Sequence, residues 1–358
     1  MDTRRQFLKN TLALTSGTIL AFERLDSCGK TAKNAPIFFD LHAHPGMYAT
    51  KGTSNYVDDT LLLKTISAMN EGHLNGTFFA LVADLLLLKP GPTGIQVTGK
   101  YGAGDGWKEY KRQLVNVKGV LNTAPANTLN LSTEISDLSA NKKKTSIYLA
   151  VEGGDFLEGQ IKNVEQAYED GVRSIQLVHY APNDVGDLQT STSTFNGLSA
   201  FGKEVVSKMN TLGMVIDVAH ATYQTTLDVV KLTSAPIILS HSILEMEVNR
   251  PIAKRAISKE HAKIVAKTGG IIGAWPSGFN KNFDEYVDNI KRLVDVVGID
   301  HVGIGTDMDG NFKPVLSSYT QFPQLSESLT SKGLSPTEAD KIMGGNAKTI
   351  LSKIFKKQ

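Results

Sequence analysis

Eight short apolar runs, spaced along the chain with helical patterns between them, constrain the fold more than any other feature. They are "IFFDLHAH", "GTFFALVADLLLL", "SIYLAVEGG", "RSIQLVHY", "MVIDVAHA", "PIILSHS", "GGIIGAWPS" and "HVGIGTDMDG". Most are continuously apolar rather than alternating, the pattern of strands buried on both faces. The intervening segments, such as "NVEQAYEDG", "FGKEVVSKMNTLG", "SKEHAKIVAKTG" and "FDEYVDNIKRLVDVVG", have helical periodicity, and each of these four ends in glycine, a common helix stop. "LSPTEADKIMGGNAKTILSKIF" closes the chain as a serine-capped helix followed by another. Eight buried strands alternating with helices predict an α/β fold, a (β/α)8 TIM-type barrel. The irregular stretch is residues 89–143, rich in loop residues, where the pattern predicts an insertion with an extra helix pair after strand 2.

In such barrels the chemistry sits at the C-terminal ends of the strands. Strand 1 ends in His42 and His44, strand 3 in Glu152, strand 4 in His179, strand 5 in His220, strand 6 in His241 and strand 8 in Asp307. His42 and His44, two apart on a strand, point to one side. Five of the eight histidines fall at this one rim. Imidazole plus carboxylate, without thiolate, suits zinc or another borderline divalent metal. The ligands outnumber what one metal with an open position needs, and Glu152 lies between the two histidine groups. Two ions about 3.5–4 Å apart can hold a bridging hydroxide that attacks an amide, with Asp307 taking or delivering the proton. Asp40 and Asp217 are expected to orient neighbours rather than to bind metal, and Asp309 to be a loop or cap residue. Trp107, Tyr101 and Tyr110 either wall the substrate pocket or pack the insertion.

These residues carry a resemblance. "VEGG" around Glu152, "LGMVIDVAH" ending at His220, "PIILSHS" around His241, "DHVGIGTDMDG" around Asp307, "GLSAFGKEVVSKMN" and the late "GGNA" resemble the membrane (renal) dipeptidase family of binuclear zinc peptidases, from about residue 36 to the C-terminus. The resemblance implies an amidohydrolase-like barrel that uses two zinc ions to cleave dipeptides, including those with a D-residue at the C-terminal position. Carried over, His42 binds the first metal, Glu152 bridges, His220 and His241 bind the second, and Asp307 ligates or hydrogen-bonds at the centre and shuttles the proton. His179 matches the residue that polarises the scissile carbonyl. Arg255, in "KRAISKEHAKIVAKTGG", matches the arginine that grips the substrate's free carboxylate, with Arg250 as competitor. Family members often form homodimers.

One position departs from the family. Strand 1 usually carries His-x-Asp, and here His44 takes the aspartate's place. Imidazole can ligate zinc there, but the site gains one unit of positive charge. That leaves open another metal-dependent amidohydrolase acting on an amide, ester or lactone, or a binding protein that has lost catalysis.

The first 28 residues read differently. "TRRQFLKN" followed by "TLALTSGTILAF" resembles a twin-arginine export signal, too short to span a membrane. "LDSC" loosely resembles a lipoprotein processing site at Cys28, the single cysteine, so export to the periplasm or cell envelope is expected, with a lipid anchor left open. Residues 35–358 read as one catalytic domain. The net charge of +2 is close to neutral and gives no footprint for nucleic acid.

Overall fold

The computed structural model describes residues 36–91, 94–139, 144–245 and 253–355. The export-signal reading, Cys28 and Arg250 lie outside the described residues.

All eight expected strands form. They are β1 (Phe38–Ala43), β2 (Leu74–Val82), β3 (Thr145–Glu152), β4 (Val172–Gln176), β5 (Val215–Asp217), β6 (Ile238–Ser242), β7 (Ile271–Ala274) and β8 (Val302–Ile304). Each pairs in parallel with its sequence neighbour, and β8 pairs with β1 to close the barrel. The longest ladder runs without a break from Gly76 opposite Ser146 to Val82 opposite Glu152. Every residue of β1 and β3 is buried, as continuous apolar runs require.

Two sets of apolar side chains divide the core. Phe39, Leu41, Phe78, Tyr148 and Ala150 pack together with Ile350, Leu351 and Ile354 of the last helix, Asn346–Ile354. Ile147, Leu149 and Val151 belong to the other set, shared with the surrounding helices. Alternation along β3 therefore gives Glu152 the same side as Tyr148 and Ala150, the interior. Glycine makes the tightest point possible. A Cβ on either Gly273 or Gly305 would lie 1.8 Å from the Ser240 carbonyl oxygen, so these two positions leave room for the β6 backbone that carries His241.

The helices start where their caps predict. Ser199, Thr222, Ser258 and Asn282 each accept a backbone N–H in the first turn of the helix that follows. Ser335 and Glu338 form a reciprocal capping box. The helix Ala200–Leu212 ends on Gly213 at φ 72°, a left-handed cap.

The segment after β2 differs from expectation. In place of a helix pair it has a hairpin (Leu88–Gly91 with Gly94–Val97), one long helix (Asp105–Thr123) and a short strand, Leu129–Leu131, added beside β3. The helix is the one a barrel needs after β2, because Gln113 both donates to the Val82 carbonyl and accepts from its N–H. Tyr110 and Trp107 stack against Phe156, with ring centroids 4.9 and 6.4 Å away, so they pack the insertion. Tyr101 donates to the Ala83 carbonyl at 3.0 Å. Among the described residues no helix is long and apolar enough to cross a membrane.

Candidate metal centre

Glu152, at the end of β3, is the hub of the C-terminal rim. Its Oε1 lies 3.4 Å from His42 Nε2, 3.4 Å from His179 Nε2, 3.5 Å from His220 Nε2 and 3.9 Å from His241 Nε2. Its Oε2 lies 3.2 Å from His44 Nε2, which is also 3.3 Å from Asp307 Oδ1. All seven sequence-predicted site residues around the metal are therefore brought together. Three overlapping groups have ligand atoms close enough to share an ion: His42, His44 and Asp307; His42, Glu152 and His241; Glu152, His179 and His220.

The donors fit a cation better than they fit one another. Nε2 of His42 is 3.0 Å from Nε2 of His44, and Nε2 of His220 is 3.1 Å from Nε2 of His241. Two imidazole nitrogens at that distance share at most one proton, and without it their lone pairs oppose. His44 Nδ1 faces the Ala80 carbonyl at 3.2 Å. A carbonyl only accepts, so the proton is on Nδ1 and the neutral ring offers Nε2 as a ligand. Burial pushes His220 and His241 well below the ordinary histidine range, keeping them neutral as metal ligands must be. His44 goes the other way. Burial opposes its charge, but Asp307 and Glu152 outweigh that and push it up to about 10. For Glu152, burial alone favours the neutral acid; the charges of His179 and His42 and the hydrogen bonds of His42 and His44 hold it well below the usual carboxylate range.

The backbone is bent to present these groups. His220, Asp307 and Asp309 all sit at positive φ (64°, 53° and 64°), in the loops just beyond β5 and β8. Buried aspartates hold those loops. Asp40 accepts from the N–H groups of His42 and Thr306 and from the hydroxyls of Thr306 and Tyr319. Asp217 accepts from the N–H groups of Ala219 and Ser240. Both act as the expected orienters, through backbone rather than through imidazole. Asp309 accepts from Gly46 N and Thr65 Oγ1, each at 2.7 Å, which makes it a loop clamp.

Sequence reasoning missed Asp84. It follows β2, is fully buried, and receives His179 Nδ1 at 2.7 Å and the N–H groups of Tyr180 and Ala181. The signal was the acidic residue ending "FFALVAD". Arg255 is 3% exposed. Its Nη1 donates to Gln189 Oε1 at 2.6 Å, while Nε and Nη2 have no partner. Those two form one edge of the guanidinium, the edge that takes a carboxylate side-on. Its Cζ stands 5.4 Å from the Trp275 ring, which in turn is 5.7 Å from the His241 ring.

Comparison with known proteins agrees with this geometry. The family model described as membrane dipeptidase (Peptidase family M19) matches residues 30–357. Dipeptidase 3 of Mus musculus is 27% identical over 63% of this chain and 48% of its own length. An uncharacterized dipeptidase of Schizosaccharomyces pombe is 30% identical over 48% of this chain and 43% of its own. The matched stretch thus spans less than half the length of either curated relative. Among solved structures, the probable dipeptidase PvdM of Pseudomonas aeruginosa superposes with a TM-score of 0.74 at 20% identity, covering 89% of this chain and 96% of that one. A metallo peptidase of Rhodobacter sphaeroides, liganded with a phosphinate mimic of the dipeptide L-Ala-D-Ala, gives 0.73 at 18% identity, covering 89% and 100%. At these identities the two structures establish the fold.

Proposed function

Because the chain belongs to the membrane dipeptidase family, Peptidase family M19, we propose that it is a metal-dependent dipeptidase. The observation that carries this reading is a buried arginine with one free bidentate edge, Arg255, beside a carboxylate, Glu152, that faces five imidazoles. The first feature suits a substrate with a free C-terminus, the second a metal-assisted attack on its amide. We assign His42, His44, Glu152, His220, His241 and Asp307 to two divalent ions, with zinc as the metal the donor set suits. When bound, the metals supply a water ionised near neutral pH and an electrophile for the carbonyl oxygen.

The chain's own groups do the rest. Arg255 holds the substrate carboxylate and so fixes where the scissile bond falls. His179 is anchored at Nδ1 by Asp84, which leaves Nε2 for the substrate. Burial disfavours a charge on His179, but the charges of Asp84 and Glu152 overcome it, so the ring can donate from Nε2 to the oxygen on which charge develops. Asp307 is the most exposed member of the cluster, its side chain 13% accessible, and it suits transfer of a proton toward the leaving amine.

His44 in the family's aspartate position favours a second reading, another metal-dependent amidohydrolase on the same barrel. Amino-acid release from L,L and L,D dipeptides, measured on the chain from Lys30 onward with zinc and with a chelator, tests the first. Chelator-sensitive release supports a dipeptidase, and the L,D to L,L ratio defines its tolerance for a D-residue. No release from protein with two zinc ions bound refutes it and directs attention to esters and lactones. Residues 1–28 we assign to export into the periplasm or cell envelope. Membrane retention abolished by Cys28→Ala would establish a lipid anchor, and a sedimentation-equilibrium mass of twice the chain's would establish a homodimer.

A further inference from the structure

Trp275 follows β7 at the rim and is 6% exposed, yet its indole N–H has no hydrogen-bond partner. Buried donors are paired in the large majority of cases, and an indole N–H can only donate. The ring is held from three sides. Its backbone N–H donates to the Ser242 carbonyl at 3.0 Å, Arg255 lies 5.4 Å from it, and Phe279 packs at 5.7 Å. Pro276 follows and restricts the Trp275 backbone. The same wall of the site carries the two other unpartnered donors, Nε and Nη2 of Arg255. Three unpartnered N–H donors on two neighbouring side chains suit an anion with several lone pairs.

We propose that Trp275 is a specificity-determining residue whose indole N–H donates to the substrate's terminal carboxylate, beside the edge of Arg255. This rests on the dipeptidase reading. A carboxylate has about four lone-pair sites. The arginine edge takes two of them, and the indole takes a third. The Gln189 hydrogen bond and the nearby Trp275 ring also preorient the guanidinium, so the clamp is built before substrate arrives.

The test uses the metal-loaded protein and two replacements of Trp275. Trp275→Phe keeps an aromatic face under Arg255. β-(3-Benzothienyl)alanine at the same position keeps the size and shape and removes only the N–H. Steady-state constants are measured on a dipeptide and on its C-terminal amide, with inhibition by a phosphinate dipeptide mimic. The expected result is a rise in KM of about tenfold for the dipeptide in both variants, with kcat within about threefold. The inhibition constant should rise in parallel, and the amide should be much less affected. A benzothienyl variant with the wild-type KM and inhibition constant overturns the inference, whatever Trp275→Phe does. An active wild type with that outcome refutes this inference alone. A metal-loaded wild type that cleaves no dipeptide refutes the activity reading and this inference with it. In a Trp107→Phe background Trp275 is the sole tryptophan, and its emission should shift on titration with the mimic. An unchanged spectrum at saturation contradicts the contact.

Discussion

Loading the centre with metal should expel a proton from His44, and that proton can be counted. With its pKa pushed up to about 10 by Asp307 and Glu152, His44 is about 99% protonated in the metal-free protein at pH 7.5. A ligand imidazole must be neutral, so one proton leaves as zinc enters. To the extent that this proton governs binding, apparent zinc affinity rises about tenfold per pH unit between pH 7 and 9. His220 and His241 are already neutral and add nothing. Titration calorimetry of the chelated protein with zinc, in buffers of different ionisation enthalpy, gives the count. His44→Asp should lower it by about one and flatten the pH dependence. A linked effect acts on folding. A histidine whose pKa is raised in the folded state stabilises that state fully below about pH 6.5, and the contribution fades as pH rises toward 10. The chelated wild type should therefore lose melting temperature across that range, while His44→Asp, lacking the cation, starts lower and changes less through this group. A proton count that is the same in wild type and His44→Asp would refute the reasoning, because His44 then does not carry the displaced proton.

Four further perturbations separate the roles. Glu152→Gln removes the carboxylate that faces all five imidazoles and should cost at least 10³-fold in kcat, with bound zinc, counted by plasma emission, falling below two per chain. Arg255→Ala should reduce kcat/KM for dipeptides by 10²-fold or more and affect a neutral ester far less; equal losses on both would remove the carboxylate clamp. Asp84→Asn should lower kcat by 10- to 100-fold with zinc content unchanged, since it touches His179 and no assigned ligand; a loss of zinc would make His179 a ligand instead. His261 lies away from the centre, buried against Thr226 at 2.8 Å, and burial pushes its pKa down to about 4. Its neutral form stabilises the fold above pH 6.5, and that is lost as pH falls toward 4, so His261→Gln should flatten the acid limb of the melting curve in that range.

How much of this was legible in the sequence follows from which signals are local. The eight strands were, because burial on both faces leaves an unbroken apolar run. The histidines at the rim were legible as a set because strand ends in a barrel converge. The hairpin and single helix after β2 were not, since their positions depend on Gln113 pairing with Val82 and Trp107 and Tyr110 stacking on Phe156, contacts between residues 31 to 49 apart. Asp84 and Trp275 escaped for another reason. Strands 2 and 7 end without a histidine, so attention to metal ligands passes over them. Yet both ends carry a polar group that the fold buries, one saturated with hydrogen bonds and one with none.

The saturated groups explain how short, strained strand ends can hold the six proposed ligands in register. Asp40, Asp217 and Asp84 are buried at the rim; the first two tie adjacent strands together, and Asp84 reaches across β3. Asp40 joins the backbone of β1 to the loop after β8, where Asp307 follows Thr306. Asp217 joins the turn that leads to His220 with Ser240, the neighbour of His241. Asp84 joins the end of β2 to His179, Tyr180 and Ala181 after β4. Together they reach the backbone next to ligands on β1, β5, β6 and β8. A buried carboxylate that accepts several N–H groups is worth retaining only if every lone pair is used. Here it fixes ligand spacing without competing for the metal: among the described residues, none of the three belongs to a group whose ligand atoms could share an ion. Losing Asp40 or Asp217 should therefore loosen two ligand positions at once. Asp217→Asn should weaken zinc at the His220–His241 side while sparing the His42–His44 side, and a stepwise chelator titration can resolve the two. Equal weakening of both sides would mean that the rim moves as one rigid unit.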